Sequence, residues 1–173
     1  SKNSKEFEIK ENSFLIIKNE KIIGFTDDLN SLEEEYTLKD FGRKLIIPSF
    51  NDMHLHAPQY NMMGIGMDKE LIDWLNSYTF KEESKFIDLK YAEKVFDKLC
   101  ADLIKYGTFN SVIYSTLHEK ATELLFEKLK EYGLYSFVGK VNMDRNCPDY
   151  LTEDTRESIE ATKRFIEKYK DEE

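Results

Sequence analysis

From Lys44 onward the chain alternates short β-branched or aromatic runs with long amphipathic stretches. That alternation constrains the fold more than any other feature. Lys44–Ile47 is largely apolar, Pro48 punctuates, and Phe50–His56 continues as extended chain. Asp88 then caps a helix with Leu89, Ala92, Val95, Phe96, Leu99, Cys100 and Leu103 at spacings of three and four, and Gly107 stops it. Phe109–Tyr114 reads as a strand. Ala121, Leu124, Leu125, Leu129 and Tyr132 mark a second helical stripe closed by Gly133, and Leu134–Val141 reads as another strand. Asp154 with Glu157 has the form of a capping box ahead of Ile159, Thr162, Phe165, Ile166 and Tyr169. Strands joined through helices pair in parallel, so the expected class is α/β. A closed (β/α)8 barrel takes ~250 residues. The three units here supply fewer than half of its strands, and an isolated short sheet leaves open edges. The expectation is that the remaining strands lie elsewhere, or that the chain closes differently.

The opening segment follows another pattern. Residues 1–12 are polar and read as a frayed end. Phe14–Ile17 and Ile22–Phe25, joined through Asn19-Glu20, predict a β-hairpin. A third short strand is expected over Thr37–Phe41. The chain therefore divides into a small β unit, 1–44, and an α/β unit, 45–173.

Twenty-five Lys and Arg against 34 Asp and Glu give a formal charge of −9. No basic run is free of acidic residues, which argues against a nucleic-acid partner. Lys81-Glu82-Glu83-Ser84-Lys85 reads as a solvated face. No stretch reaches the ~18 apolar residues of a membrane span and no signal peptide is visible, so a cytoplasmic location is expected. Cys100 falls on an apolar helical stripe and Cys147 in a loop, a distribution that suits a reducing compartment.

The segment with chemical content is Pro48-Ser49-Phe50-Asn51-Asp52-Met53-His54-Leu55-His56-Ala57-Pro58-Gln59. Side chains alternate across a strand, so His54 and His56 share a face with Asp52 and Phe50 while Met53 and Leu55 point away. Two imidazoles on one side of a strand's C-terminal end can share a divalent metal. Asp52 can support them by hydrogen bonding. Other scans return little: there is no phosphate-binding glycine motif and no serine-nucleophile elbow. Gly64-Ile65-Gly66 is expected to form a flexible loop over the site's mouth, with Met62, Met63 and Met67 packing beneath it.

This segment resembles the Pro-Gly-Phe-x-Asp-x-His-x-His signature of the amidohydrolase superfamily, with Ser49 where glycine is usual. His56-Ala57-Pro58-Gln59-Tyr60, Leu71-Ile72-Asp73-Trp74-Leu75, Tyr78-Thr79-Phe80 and Phe137-Val138-Gly139-Lys140-Val141 with Met143-Asp144 are similar to stretches of its guanine deaminase branch. The resemblance implies an amidohydrolase-type (β/α)8 TIM barrel, here only its first strands and helices, with part of a small β-sandwich before it. It implies hydrolysis of guanine to xanthine and ammonia at one Zn2+. His54 and His56 match the first two metal ligands. Gln59, with His56, matches purine-binding positions, and Trp74 is a candidate wall of that pocket. The remaining ligands and the general acid/base are expected beyond Glu173, so the chain carries only part of an active site and is expected to be inactive alone. His118, in Ser115-Thr116-Leu117-His118, is expected at the entrance to a helix or on the pocket rim rather than on the metal. The resemblance also implies a homodimer of the whole protein. Two alternatives stay open: another deaminase or chlorohydrolase of the superfamily, and a non-catalytic metal-binding or dimerisation module.

Overall fold

A computed structural model describes Glu6 and Glu8–Asp171. The frayed end expected at residues 1–12 thus lies partly outside the described residues. The chain forms two compact units that divide between Ile46 and Ile47.

In the first unit, strands β1 (Phe14–Lys18) and β2 (Lys21–Thr26) pair antiparallel. Asn19 and Glu20 both adopt positive φ, +51° and +63°, as the tight two-residue turn between right-twisted strands requires. Asp28 caps a single 3-10 turn, Leu29–Ser31, by accepting from the Asn30 N–H. The strand expected over Thr37–Phe41 is not formed. That segment is irregular, and Leu38 and Phe41 are exposed. An apolar alternation marks a residue run as able to pair. It does not supply the neighbouring edge that a strand needs.

The second unit is built on a parallel sheet of order β3 (Phe50–His56), β4 (Thr108–Tyr114) and β5 (Tyr135–Gly139). Between β3 and β4 the chain runs through a broken helical segment. Helix α1 (Leu71–Trp74) passes through a π-helical turn, Leu75–Thr79, into α2 (Phe80–Glu83) and a 3-10 turn, Ser84–Ile87. Helices α3 (Leu89–Lys105), α4 (Glu119–Glu131) and α5 (Thr155–Tyr169) follow. The stripes read from the sequence supply much of the core, in which Phe96, Cys100 and Leu125 are essentially inaccessible to solvent; Ile113 of β4 and Phe86 of the 3-10 turn, which no stripe included, are equally buried. Gly107 and Gly133 close α3 and α4 with φ of +77° and +70°.

Asp154 caps α5, its Oδ1 accepting from the N–H groups of Arg156 and Glu157 at 3.0 Å each. The reciprocal half of the expected capping box is replaced. Glu157 instead accepts from Arg164, whose guanidinium also holds Glu119 of α4. Replacing Asp154 with alanine is expected to cost about 1 kcal/mol, read as a lowered urea midpoint with an unchanged slope. The solvated face expected at 81–85 holds for Lys81 and Lys85 but fails at Glu83, which is buried against the end of β4. Charge runs report average exposure, not which turn of a helix meets the sheet.

Candidate active site

The two histidines lie at the C-terminal end of β3. Its pairing with β4 is irregular between Asp52 and Leu55, and within that interval Asp52 Oδ1 accepts from the His54 N–H at 3.0 Å. The carboxylate therefore fixes the backbone that presents His54 rather than touching an imidazole. His54 is exposed and His56 half-buried. Their Nε2 atoms stand 3.3 Å apart. In register with His56 on the neighbouring strand, Tyr114 stacks on its imidazole with centroids 4.8 Å apart and lies 5.2 Å from that of His54. Burial, and then the charge of His54, hold the His56 pKa below that of an ordinary histidine. The ring thus keeps its neutral, ligand-competent form to lower pH.

Two imidazole nitrogens bound to one tetrahedral metal at ~2.0–2.1 Å stand about 3.3 Å apart. The observed separation meets that condition, so the pair fits two corners of a zinc site. The same distance allows one neutral ring to donate to the other, with the tautomers set accordingly. Among the described residues no group of three or more His, Cys, Asp or Glu is placed to hold a metal ion. A tight site normally takes at least three protein ligands, so these two histidines fall short of one on their own.

The chain leaves β3 directly into a 3-10 helix, Ala57–Met62. Gln59 is half-buried within that 3-10 helix, three residues beyond His56. The Gly64–Gly66 loop, expected to be flexible, is held: the Trp74 indole N–H donates to the Ile65 carbonyl at 2.7 Å. Of the three methionines expected to pack here, Met62 is buried, while Met63 and Met67 are exposed. Gly66 has φ +68°, and a Cβ there would lie 2.5 Å from Tyr78 Cε2. Gly66→Ala is expected to destabilise the chain by about 1–3 kcal/mol and to displace Tyr78, measurable as a change in tyrosine and tryptophan fluorescence.

His118 occupies the N-cap position of α4, where its ring makes no capping hydrogen bond. It is half-buried, its Nε2 has no protein partner, and burial lowers its pKa. Sequence reasoning placed it at the entrance to a helix, where it is found. It missed Tyr114, whose only signal was its place at the end of a strand. Which strand residue faces it depends on register, and register is not visible in the sequence.

The model of the amidohydrolase family matches residues 45–173. A guanine deaminase of Dictyostelium discoideum is 44% identical over 139 residues, covering 80% of this chain and 31% of that protein. The guanine deaminase of Escherichia coli is 33% identical over 162 residues, covering 92% of this chain and 37% of that protein. Among solved structures, a guanine deaminase from C. acetobutylicum with guanine bound in its active site superposes with TM-score 0.93 at 45% identity, over 100% of this chain and 41% of the other. The E. coli enzyme superposes with TM-score 0.81 at 32% identity, over 92% of this chain and 37% of the other. The chain thus spans about a third of the length of the curated relatives it matches.

Proposed function

From the chain's membership of the amidohydrolase family, we propose that it is part of a zinc-dependent guanine deaminase, which hydrolyses guanine to xanthine and ammonia. The observation that carries this reading is the His54–His56 pair, whose Nε2 separation of 3.3 Å is that of two ligands on one tetrahedral ion. His54 and His56 would hold the zinc. A zinc ion in such a site lowers the pKa of water and so makes hydroxide available near neutral pH. Asp52 positions the His54 backbone, and Tyr114 fixes the plane of the His56 ring. Gln59 offers an amide with both a donor and an acceptor, which suits the edge of a guanine ring. Trp74 serves the pocket by holding the Gly64–Gly66 loop in place.

The same reading completes the architecture. Residues 45–173 supply the first part of a (β/α)8 barrel, and the hairpin of residues 1–44 contributes to a small β-sandwich. The remaining ligands and the general acid/base come from elsewhere in the whole protein, a cytoplasmic homodimer. Two imidazoles do not make a catalytic site, so the 173-residue chain alone is inactive.

Ammonia release from guanine, with zinc supplied, tests this reading. The 173-residue chain is compared with the product of the whole open reading frame that contains it. Turnover by the longer protein alone supports the proposal. A longer protein that binds zinc yet leaves guanine intact places the chain with another deaminase or hydrolase of the family.

A further inference from the structure

The seam between the broken helix and the end of β4 carries an uncompensated acid. Glu83 is 9% exposed, Thr79 6% and Ser115 1%, and each has a buried side-chain oxygen with no hydrogen-bond partner: Glu83 Oε1, Thr79 Oγ1 and Ser115 Oγ. Thr79 and Glu83 are one helical turn apart and share a face. Ser115 and Thr116 are neighbours at the end of β4, and the Thr116 hydroxyl and Leu117 N–H bear on the Glu83 carboxyl. Phe80 packs on Leu117 and Leu151 in the same seam.

The charged groups around this seam are otherwise engaged. On Glu83's own segment, Glu82 is bonded to Lys85 and Tyr91, and Lys81 is exposed. From the 3-10 helix after β3, Tyr60 donates to Asp102. Beyond β4, Lys140 is paired with Glu153, and His118 feels those two charges. Among the described residues no cation is paired with Glu83. A buried carboxylate without a counter-charge is strongly disfavoured, and such a group takes up a proton instead.

We propose that Glu83 is a neutral carboxylic acid in the folded chain and acts as a positioning residue, its carboxyl accepting from the Thr116 hydroxyl and the Leu117 N–H while the proton sits on Oε1, which has no protein partner. Those two bonds clamp the segment that carries Trp74 to the end of the strand that carries Tyr114. The clamp is independent of any metal on His54 and His56. Burial pushes the Glu83 pKa up from 4.5 to about 7, against the smaller opposing effects of Thr116 and Leu117. For an acid whose folded pKa is raised, stability is fully present below the unfolded pKa and is lost as pH rises through the folded pKa. The clamp therefore weakens between pH ~5 and ~8.

The test is the folding equilibrium of the chain against pH, for wild type, Glu83→Gln and Glu83→Ala. The glutamine keeps a donor and an acceptor but cannot ionise. It is expected to match wild type near pH 5 and to exceed its folding constant by about a hundredfold near pH 8.5. Alanine is expected to be weaker than glutamine at both. A second measurement needs no variant: infrared spectra of the chain labelled with 13C at glutamate carboxyls should keep one protonated-acid carbonyl band that fades around neutral pH. Parallel wild-type and glutamine profiles, or the loss of every protonated band by pH 5.5, would overturn the proposal.

Discussion

Alanine at His54, in the whole protein, is expected to lower ammonia release from guanine by at least about a hundredfold and to lower bound zinc in parallel, as loss of a direct ligand exceeds the effect of losing a supporting group. The part of the proposed metal set that lies in this chain rests on two rings whose Nε2 atoms are 3.3 Å apart, and each removal leaves only one of them. His56→Ala should act at least as strongly, because it also removes the ring on which Tyr114 stacks. Tyr114→Leu separates the roles: it leaves both ligands, so zinc content should persist while turnover falls modestly. Zinc is counted by elemental analysis of dialysed protein, and activity by coupled ammonia release. Full activity in a zinc-loaded His54→Ala enzyme would sink the assignment of that ring.

Much of this arrangement is legible in the residues. The stripe from Leu89 to Leu103 with its Asp88 cap and Gly107 stop is local information, and α3 forms where that information puts it. The same holds for β3, since a period of two sets the side of both histidines before any partner is known. What escapes the reading is non-local. Thr37–Phe41 has strand-like residues but no adjacent edge, and stays irregular. Glu83 sits in a charge run that looks solvated, yet its turn of helix meets the end of β4. Tyr114 joins the histidines only through the β3–β4 register. Trp74 is legible as a notable aromatic, but its use, as a donor to a carbonyl nine residues earlier, depends on a loop closure set by two left-handed glycines.

The same distinction governs the largest stability effect expected in the second unit. Lys140 follows β5 directly, with a side chain only 1% exposed, and its Nζ donates to Glu153 Oε1 at 2.7 Å and to the Val141 carbonyl at 2.9 Å. Glu153 Oε2 in turn accepts from the Met143 N–H and from Ser158 Oγ. Asn142 Oδ1 accepts from Ser158 and Thr162, which ties the β5–α5 loop to α5. Lys140→Met removes the cation and strands a carboxylate that is largely out of water, a change expected to cost about 3–5 kcal/mol. The cost arises from the orphaned partner rather than from the attraction lost, because the intact pair already bears a desolvation penalty. Changing both residues, Lys140→Met with Glu153→Leu, should therefore recover much of the loss, although the Met143 N–H then needs water. Urea unfolding of the four proteins in the cycle measures the coupling. A double variant no more stable than Lys140→Met alone would mean that the loop depends on the Glu153 hydrogen bonds, and that the ion pair is incidental to them.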